Sequence, residues 1–150
     1  MLIELPHFYT KDDAGVENGD ITLIFNEVAP ISALRGHNPR QAYLTTVLPR
    51  SKKGPHLHKK RQGLFICVAG EVTVVVRKAR TLGLVKFSLS QNDSLGLLVP
   101  PGTAAMLVNF STYDIASILN LPCPARDPSD PDDHMAFFDP IDLHNLGVNF

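Results

Sequence analysis

Short β-forming segments, each closed by glycine, proline, asparagine or aspartate, recur along most of this 150-residue chain. Their composition and the turn residues between them predict strands. The predicted strands cover residues 21–25, 41–48, 64–68, 72–76, 82–89, 94–99, 105–110 and 115–121. No segment carries a sustained apolar repeat at helical spacing, so helices have little place in the predicted fold. Many evenly spaced short strands without helices are typical of closed or double-sheet antiparallel architectures. We therefore expect an all-β protein.

Length and composition indicate one domain over residues 1–150. Hydrophobic residues make up 44% of the chain and charged residues 19%, which is typical of a globular protein with a packed core. The formal net charge of −1 argues against nucleic-acid binding, because neutralising phosphates needs a surplus of positive charge. Membrane-length apolar runs and a signal-peptide pattern are both missing. With only Cys67 and Cys123, we expect a cytoplasmic protein without a disulfide framework.

The last part of the chain has a different character from about residue 122. Prolines and aspartates dominate the segment up to Asp133, and they predict an irregular, solvated loop. Phe137 and Phe138 follow and supply apolar anchors. We expect this end to pack back onto the sheets.

The segment Gly54-Pro55-His56-Leu57-His58-Lys59-Lys60-Arg61 carries the strongest chemical signal. On a strand, residues two apart point to the same face, so His56 and His58 would converge. Imidazoles titrate near neutral pH and also bind metals. The pattern indicates proton chemistry or a metal site beside an anionic group, and the alternative is an ordinary solvated basic loop.

Two glycine-rich segments together resemble the signature motifs of the cupin superfamily. The first is Gly54-x-His56-x-His58 with Gly70 after the next strand, and the second is Pro100-x-Gly102-x-x-Ala105 with Asn109 after three further residues. The resemblance covers about residues 40–121. It implies a jelly-roll or double-stranded antiparallel β-barrel.

Two departures from the cupin motifs bear on a metal. The histidine of the second motif falls on Ala105, and the glutamate of the first falls near Gln62 or Gly63. Two imidazoles with a possible amide are a poor ligand set for a divalent ion. We expect neither a metal nor any other cofactor, and a metal-dependent oxygenase-like cupin ranks last among the alternatives.

The string Gly54-Pro55-His56-Leu57-His58-Lys59-Lys60 resembles the G-x-H-A-H-K-K of the nucleotide-sugar 3,4-ketoisomerases within the cupins. Those enzymes act on dTDP-4-keto-6-deoxyglucose. The resemblance implies proton transfer by His56 and His58, with Tyr43 on the strand that runs towards the motif. Lys53 stands where the family usually has arginine.

The chain also resembles the dTDP-4-keto-rhamnose 3,5-epimerases, through the segment 100–105 and through Asp139-Pro140 with Leu146-Gly147-Val148. That resemblance implies Asp139 as the partner of a catalytic histidine. The tyrosine of those enzymes falls near Ile118 here.

Basic and amide side chains around the paired histidines are candidates for binding a nucleotide-diphosphate sugar, because arginine and lysine bind phosphate oxygens well. These candidates are Arg50, Lys53, Lys59, Arg61, Gln62 and Asn109. The sequence favours a metal-independent isomerase of a nucleotide-linked 4-keto-6-deoxy sugar acting through an enediol. A 3- or 3,5-epimerase and a non-catalytic sugar-binding cupin remain alternatives. Edge strands of such barrels often pair, so we expect a homodimer, with the strand near residues 21–25 docked or exchanged.

Overall fold

The computed structural model describes residues 1–26, 31–78 and 83–150. It confirms the predicted all-β class, with a 3-10 turn at Ser32–Leu34 and a helix, α1, at Pro140–Asn145. The strands are β1 (Leu2–Glu4), β2 (His7–Lys11), β3 (Glu17–Thr22), β4 (Tyr43–Val47), β5 (Ser51–Leu57), β6 (Gly63–Ala69), β7 (Glu71–Arg77), β8 (Val85–Ser90), β9 (Leu95–Val99), β10 (Ala104–Asn109), β11 (Ala116–Asn120) and β12 (His134–Met135). Among these residues, no helix has the length and apolar character that would let it cross a membrane.

Two five-stranded antiparallel sheets form the body of the protein. One has the order β1-β9-β6-β11-β4 and the other the order β12-β5-β10-β7-β8. A buried cluster between them draws on both, with Val47, Leu97 and Ile118 from the first sheet and Val72 and Val74 from the second. This arrangement matches the double-sheet architecture that the strand pattern predicts.

A second apolar cluster covers the outer face of the sheet that contains β10. Val75 and Val108 pack there against Phe138, Leu143 and Val148 of the C-terminal segment. The prediction that the chain end packs back onto the sheets is therefore confirmed. No helix or strand lies between residue 122 and Asp133, and β12 and α1 follow this stretch.

The predicted bounds of the first strand were wrong. The strand expected over residues 21–25 is β3, which ends at Thr22 and pairs only with β2 among the described residues. The start of the strand expected over 82–89 lies outside the described residues, and β8 begins at Val85.

β5 was not among the predicted strands, because it contains Gly54 and Pro55. It nevertheless lies between β12 and β10 in its sheet. Gly54 has φ +96°, a conformation that favours glycine. A Cβ at this position would lie 2.8 Å from the carbonyl oxygen of Ala105 on β10. Gly54 therefore permits the close approach of the two backbones that places His56 next to Ala105 in register.

Candidate active site

A cavity of about 210 Å³ lies between the two main sheets. Tyr43, Thr45, Gly63, Phe65, Val99, Ile118 and Asn120 line it from one sheet, and Lys53, His56, Ala105 and Leu107 line it from the other. His58, Arg61, Pro100, Thr103 and Pro122 complete the lining from the loops. The cavity thus combines an apolar interior with a few convergent polar groups, which is the usual character of a small-molecule site.

Both histidines of the paired motif line this cavity, as the alternation of strand side chains predicts. His56 lies on β5, and His58 follows just after the strand ends at Leu57. Ala105 is the register partner of His56 on β10. The small side chain of Ala105 therefore lies in the cavity wall beside the first imidazole.

The ring of His58 is fixed by the segment that precedes β12. Its Nδ1 lies 2.7 Å from the backbone carbonyl oxygen of Asp132, 2.9 Å from Nη2 of Arg61 and 3.4 Å from Oδ1 of Asp133. A backbone carbonyl oxygen only accepts, so the 2.7 Å contact with Asp132 needs a proton on Nδ1, while Nη2 of Arg61 donates to Asp133 at 2.7 Å. We therefore assign the Nδ1 proton of His58 to the bond with the Asp132 carbonyl. In the neutral ring this leaves Nε2 as the basic nitrogen.

Asp132 also holds the backbone turn that follows His58. Its carboxylate accepts hydrogen bonds from the backbone N–H groups of Lys59, Lys60 and Arg61 at 2.9, 2.8 and 3.0 Å. Burial would raise the pKa of this carboxyl group, but the three hydrogen bonds outweigh it and lower the pKa to about 2. Asp132 is therefore ionised at neutral pH and anchors the turn as an anion.

Arg61 is buried, at 5% exposure, although it is a charged side chain beside the cavity. Asp133 compensates its charge and also accepts from Nε of Arg126 at 3.2 Å. Burial opposes ionisation of Asp133, but Arg126, Arg61 and His58 together lower its pKa. The predicted phosphate-binding role of Arg61 thus competes with an ion pair inside the protein.

Tyr43 faces the cavity from the sheet opposite to the histidines. Its hydroxyl oxygen accepts a hydrogen bond from Nδ2 of Asn120 at 2.6 Å. Burial raises the pKa of Tyr43, with Arg61 and Asn120 opposing the shift and Asp133 adding to it. The hydroxyl group is therefore protonated at neutral pH and available as a donor.

Of the predicted phosphate-binding residues, only Lys53 and Arg61 line the cavity. Nζ of Lys53 donates to the carbonyl oxygen of Thr46 at 3.3 Å, and the side chain is exposed at the mouth. The Arg50 guanidinium instead stacks on the ring of Phe150 at 4.3 Å. Lys59 is exposed and contributes its backbone N–H to the turn anchored by Asp132.

The structure places the remaining predicted site residues away from the cavity lining. Asn109 is buried and donates to the carbonyl oxygens of Val47 and Asp114, so it ties β4 to the loop after β10. Nε2 of Gln62 donates to Nδ1 of the buried His37 at 3.1 Å. Asp139 caps α1 by accepting from the backbone N–H of Ile141. Each of these polar groups is thereby used in maintaining the fold.

Sequence reasoning missed Asp132, Asp133 and Asn120. The two aspartates belong to the acidic run that we expected to be a solvated loop. Their complementarity to the basic run at residues 59–61 was the available signal, but a sequence separation of more than 70 residues gave no reason to pair them. Asn120 ends β11 without any motif around it.

Within the described part of the chain, no three or more His, Cys, Asp and Glu side chains are grouped so as to hold a metal ion.

Two packed antiparallel sheets that enclose a cavity give this chain the same fold as the solved RmlC structure described below. Residues 3–137 match the sequence family described as WxcM-like, C-terminal, and the chain belongs to that family. A comparison with curated protein sequences gave no match.

Solved structures with the same fold include enzymes of nucleotide-sugar metabolism. QdtA, a sugar 3,4-ketoisomerase from Thermoanaerobacterium thermosaccharolyticum solved with TDP, is 20% identical with a TM-score of 0.66, over 91% of this chain and 88% of that one. RmlC, a 3,5-epimerase from Legionella pneumophila solved with dTDP-4-keto-L-rhamnose, is 18% identical with a TM-score of 0.71. The match covers 95% of this chain and 74% of the RmlC chain. CapF, a capsular polysaccharide assembling protein of Staphylococcus aureus, is 20% identical with a TM-score of 0.58. The match covers 63% of this chain and 26% of the CapF chain.

Proposed function

We propose that this protein is an isomerase that moves the ketone of a TDP-linked 4-keto-6-deoxy sugar from C4 to C3. The observation that carries the proposal is the placement of His56 and His58 on one side of the cavity and the Tyr43 hydroxyl on the other. Membership of the WxcM-like family supports it. The similarity to the 3,4-ketoisomerase QdtA also supports it. A mutant of QdtA has been solved in complex with TDP-4-keto-6-deoxyglucose.

The proposed reaction is a balanced set of proton transfers. A base removes the proton from C3, and the C4 carbonyl oxygen gains a proton, which gives an enediol. The hydroxyl group on C3 then loses its proton, and C4 receives one, so that the ketone stands at C3. Imidazole suits the base because its pKa lies near the working pH. These steps need only side chains of the chain itself.

His58 is the better candidate for the base. Its Nδ1–H bond to the Asp132 carbonyl leaves Nε2 without a proton, and Asp133 lies 3.4 Å from Nδ1. A carboxylate at that distance stabilises the imidazolium that forms when the ring takes a proton. His56 lies in the same wall and is the candidate for returning a proton to the neighbouring carbon.

Lys53 is the candidate for binding the diphosphate, because it is the exposed cation in the lining. Its ammonium group would act as a point charge on phosphate oxygens. Arg61 reaches the same cavity, but its charge is already compensated by Asp133.

The test is to incubate the protein with TDP-4-keto-6-deoxyglucose in D2O and to follow the sugar by NMR. We expect a 3-keto product carrying deuterium at C4. His58→Asn should lower kcat by about 10²- to 10⁴-fold, the usual contribution of a general base. His144→Asn is the matched control, because His144 is exposed on α1. Substrate binding without turnover in the wild type would overturn the proposal and leave a sugar-nucleotide-binding cupin.

A 3- or 3,5-epimerase is the second candidate, and the position of Tyr43 favours it. Epimerisation removes a proton from one face of a carbon and returns one to the other face. The cavity offers imidazoles from one sheet and a hydroxyl group from the other. In the same NMR experiment, this activity would put deuterium at C3 or C5 while the ketone stayed at C4.

A further inference from the structure

Asn120 and Tyr43 are register partners on the neighbouring strands β11 and β4. Both line the cavity, and Asn120 is 7% exposed. Nδ2 of Asn120 donates to the Tyr43 hydroxyl oxygen at 2.6 Å, whereas Oδ1 of Asn120 has no hydrogen-bond partner among the described residues. A buried amide oxygen without a partner is costly, so this orientation of the amide calls for a physical reason.

The surroundings of Oδ1 favour this orientation. A Cβ built on Gly63 would lie 3.2 Å from Oδ1 of Asn120 and 3.1 Å from Cε1 of Phe65. One Hα of Gly63 therefore points at the amide oxygen and makes a weak C–H···O contact. The edge of the Phe65 ring adjoins the same space, and ring edges carry partial positive charge. An oxygen suits this space better than an NH₂ group does.

The donor direction fixes the hydrogen of Tyr43. A phenol oxygen that accepts from Asn120 must place its own hydrogen on the other side of the oxygen. No described residue accepts that hydrogen, and the side chain faces the cavity. The hydroxyl hydrogen is thereby directed at the space that a substrate would occupy.

We propose that Asn120 is a positioning residue that turns the Tyr43 O–H into the cavity, towards the substrate oxygen on which charge develops. The proposal rests on the isomerase function proposed above, and it assigns Asn120 a role that acts through Tyr43. A fixed donor of this kind stabilises the enolate without reorganisation during the reaction. The reverse orientation of the amide would have Oδ1 accept the Tyr43 hydrogen and would turn it away from the substrate.

The direction of the hydrogen bond can be measured without substrate. Tyrosinate absorbance is followed against pH in the wild type, and the Tyr43→Phe trace is subtracted to remove Tyr9 and Tyr113. Asn120→Leu removes a donor that stabilises the phenolate, so the pKa of Tyr43 should rise. A fall would show that Asn120 accepts from Tyr43, and no change would show that the bond is absent. Either result overturns the proposal.

Kinetics with TDP-4-keto-6-deoxyglucose test the role in turnover. Asn120→Asp is nearly isosteric, but its carboxylate would accept the Tyr43 hydrogen and withdraw it from the cavity. We expect kcat to fall by about 10-fold or more, in the direction of Tyr43→Phe, with KM little changed. Asn92→Asp, in the exposed turn after β8, is the matched control. Asn120→Leu serves in its place if the buried charge prevents folding.

The two failures are distinguishable. Retention of full kcat in both Asn120 variants, with loss of activity in Tyr43→Phe, overturns the positioning role alone. An inactive wild type overturns the isomerase function. In that case Asn120 has no reaction to serve, whatever the titration shows about the hydrogen bond.

Discussion

Asp132 connects two parts of the site, the imidazole of His58 and the turn that follows it. Its carbonyl oxygen accepts from His58, and its carboxylate accepts from the backbone of Lys59, Lys60 and Arg61. The imidazole and the turn beside it are therefore oriented by a residue more than 70 positions further along the chain.

Asp132→Asn should destabilise the protein at neutral pH, because an amide cannot accept all three N–H bonds. We expect a loss of about 1–3 kcal/mol in the free energy of unfolding, measured by urea denaturation. Asp13→Asn, in the exposed turn between β2 and β3, is the control and should change little.

The same residue gives a pH prediction. The pKa of Asp132 in the folded protein is lowered from 3.8 to about 2, so its ionisation stabilises the fold above about pH 4. That stability is lost as pH falls from 4 to 2. The difference in unfolding free energy between the wild type and Asp132→Asn should therefore shrink over this range. A difference that stays constant from pH 7 to pH 2 would contradict the assignment.

Gly54 and Gly36 separate two reasons for needing glycine. Both have positive φ, at +96° and +83°, but a Cβ on Gly54 would also lie 2.8 Å from the Ala105 carbonyl oxygen, whereas Gly36 has open space around it. Alanine at position 36 should cost only the backbone strain, about 1 kcal/mol. Alanine at position 54 should cost more and also reduce activity, because His56 is two residues away. Equal melting temperatures for the two variants would contradict this.

At the scale of elements, the sequence patterns predicted strands well where the residues alternate or form apolar runs between turn residues. Predicted ranges such as 64–68 and 72–76 agree closely with β6 and β7. β5 was not predicted because Gly54 and Pro55 interrupt its pattern of β-forming residues. The strand forms nevertheless, because it pairs with β10 and β12. The position of β5 was instead implied by the paired histidines, whose shared face presupposes a strand.

Residues of the candidate site were predictable only where a local spacing or a family resemblance pointed to them. His56 and His58 could be found from their spacing, and the resemblance to ketoisomerases pointed to Tyr43. Asn120 lines the cavity, and Asp132 and Asp133 contact His58 and Arg61 beside it. All three are brought there by contacts between distant parts of the chain, which leave no local pattern in the sequence. Asn109 and Asp139 have motif-like contexts, but the fold uses their polar atoms for a loop and a helix cap.

The C-terminal segment is held to the sheet by Phe138, which is 3% exposed, while its neighbour Phe137 is 68% exposed. Phe138→Ala should lower the free energy of unfolding by about 3–5 kcal/mol, the range for a buried phenylalanine. Phe137→Ala is the matched control and should stay within about 0.5 kcal/mol of the wild type. Urea denaturation measures both. Similar losses in the two variants would contradict the packing described above.

At the scale of the whole molecule, we expect a homodimer. The β2–β3 pair forms a two-stranded sheet of its own in the described structure and exposes Phe8, Tyr9 and Ile21. β4 is one of the two edge strands of its sheet in the described structure and exposes Leu44. A two-stranded ribbon is marginal by itself, and an exposed edge invites pairing.

Light scattering during gel filtration should give twice the mass of the chain. Ile21→Asp places a charge in the exposed apolar face of the ribbon and should shift the protein towards the monomer. Tyr113→Asp is the control, because Tyr113 is 89% exposed in the loop before β11. A wild type that elutes as a monomer would contradict the expected dimer.

The anchoring of His58 by Asp132 has a consequence for how the active protein is assembled. The strands of both main sheets up to β11 precede Asp132 in the chain, so these strands can pair before the C-terminal segment, which carries the acceptor for His58, docks on them. Full orientation of the imidazole would then follow the docking of the C-terminal segment. Recovery of catalysis during refolding should lag behind recovery of the β-sheet signal.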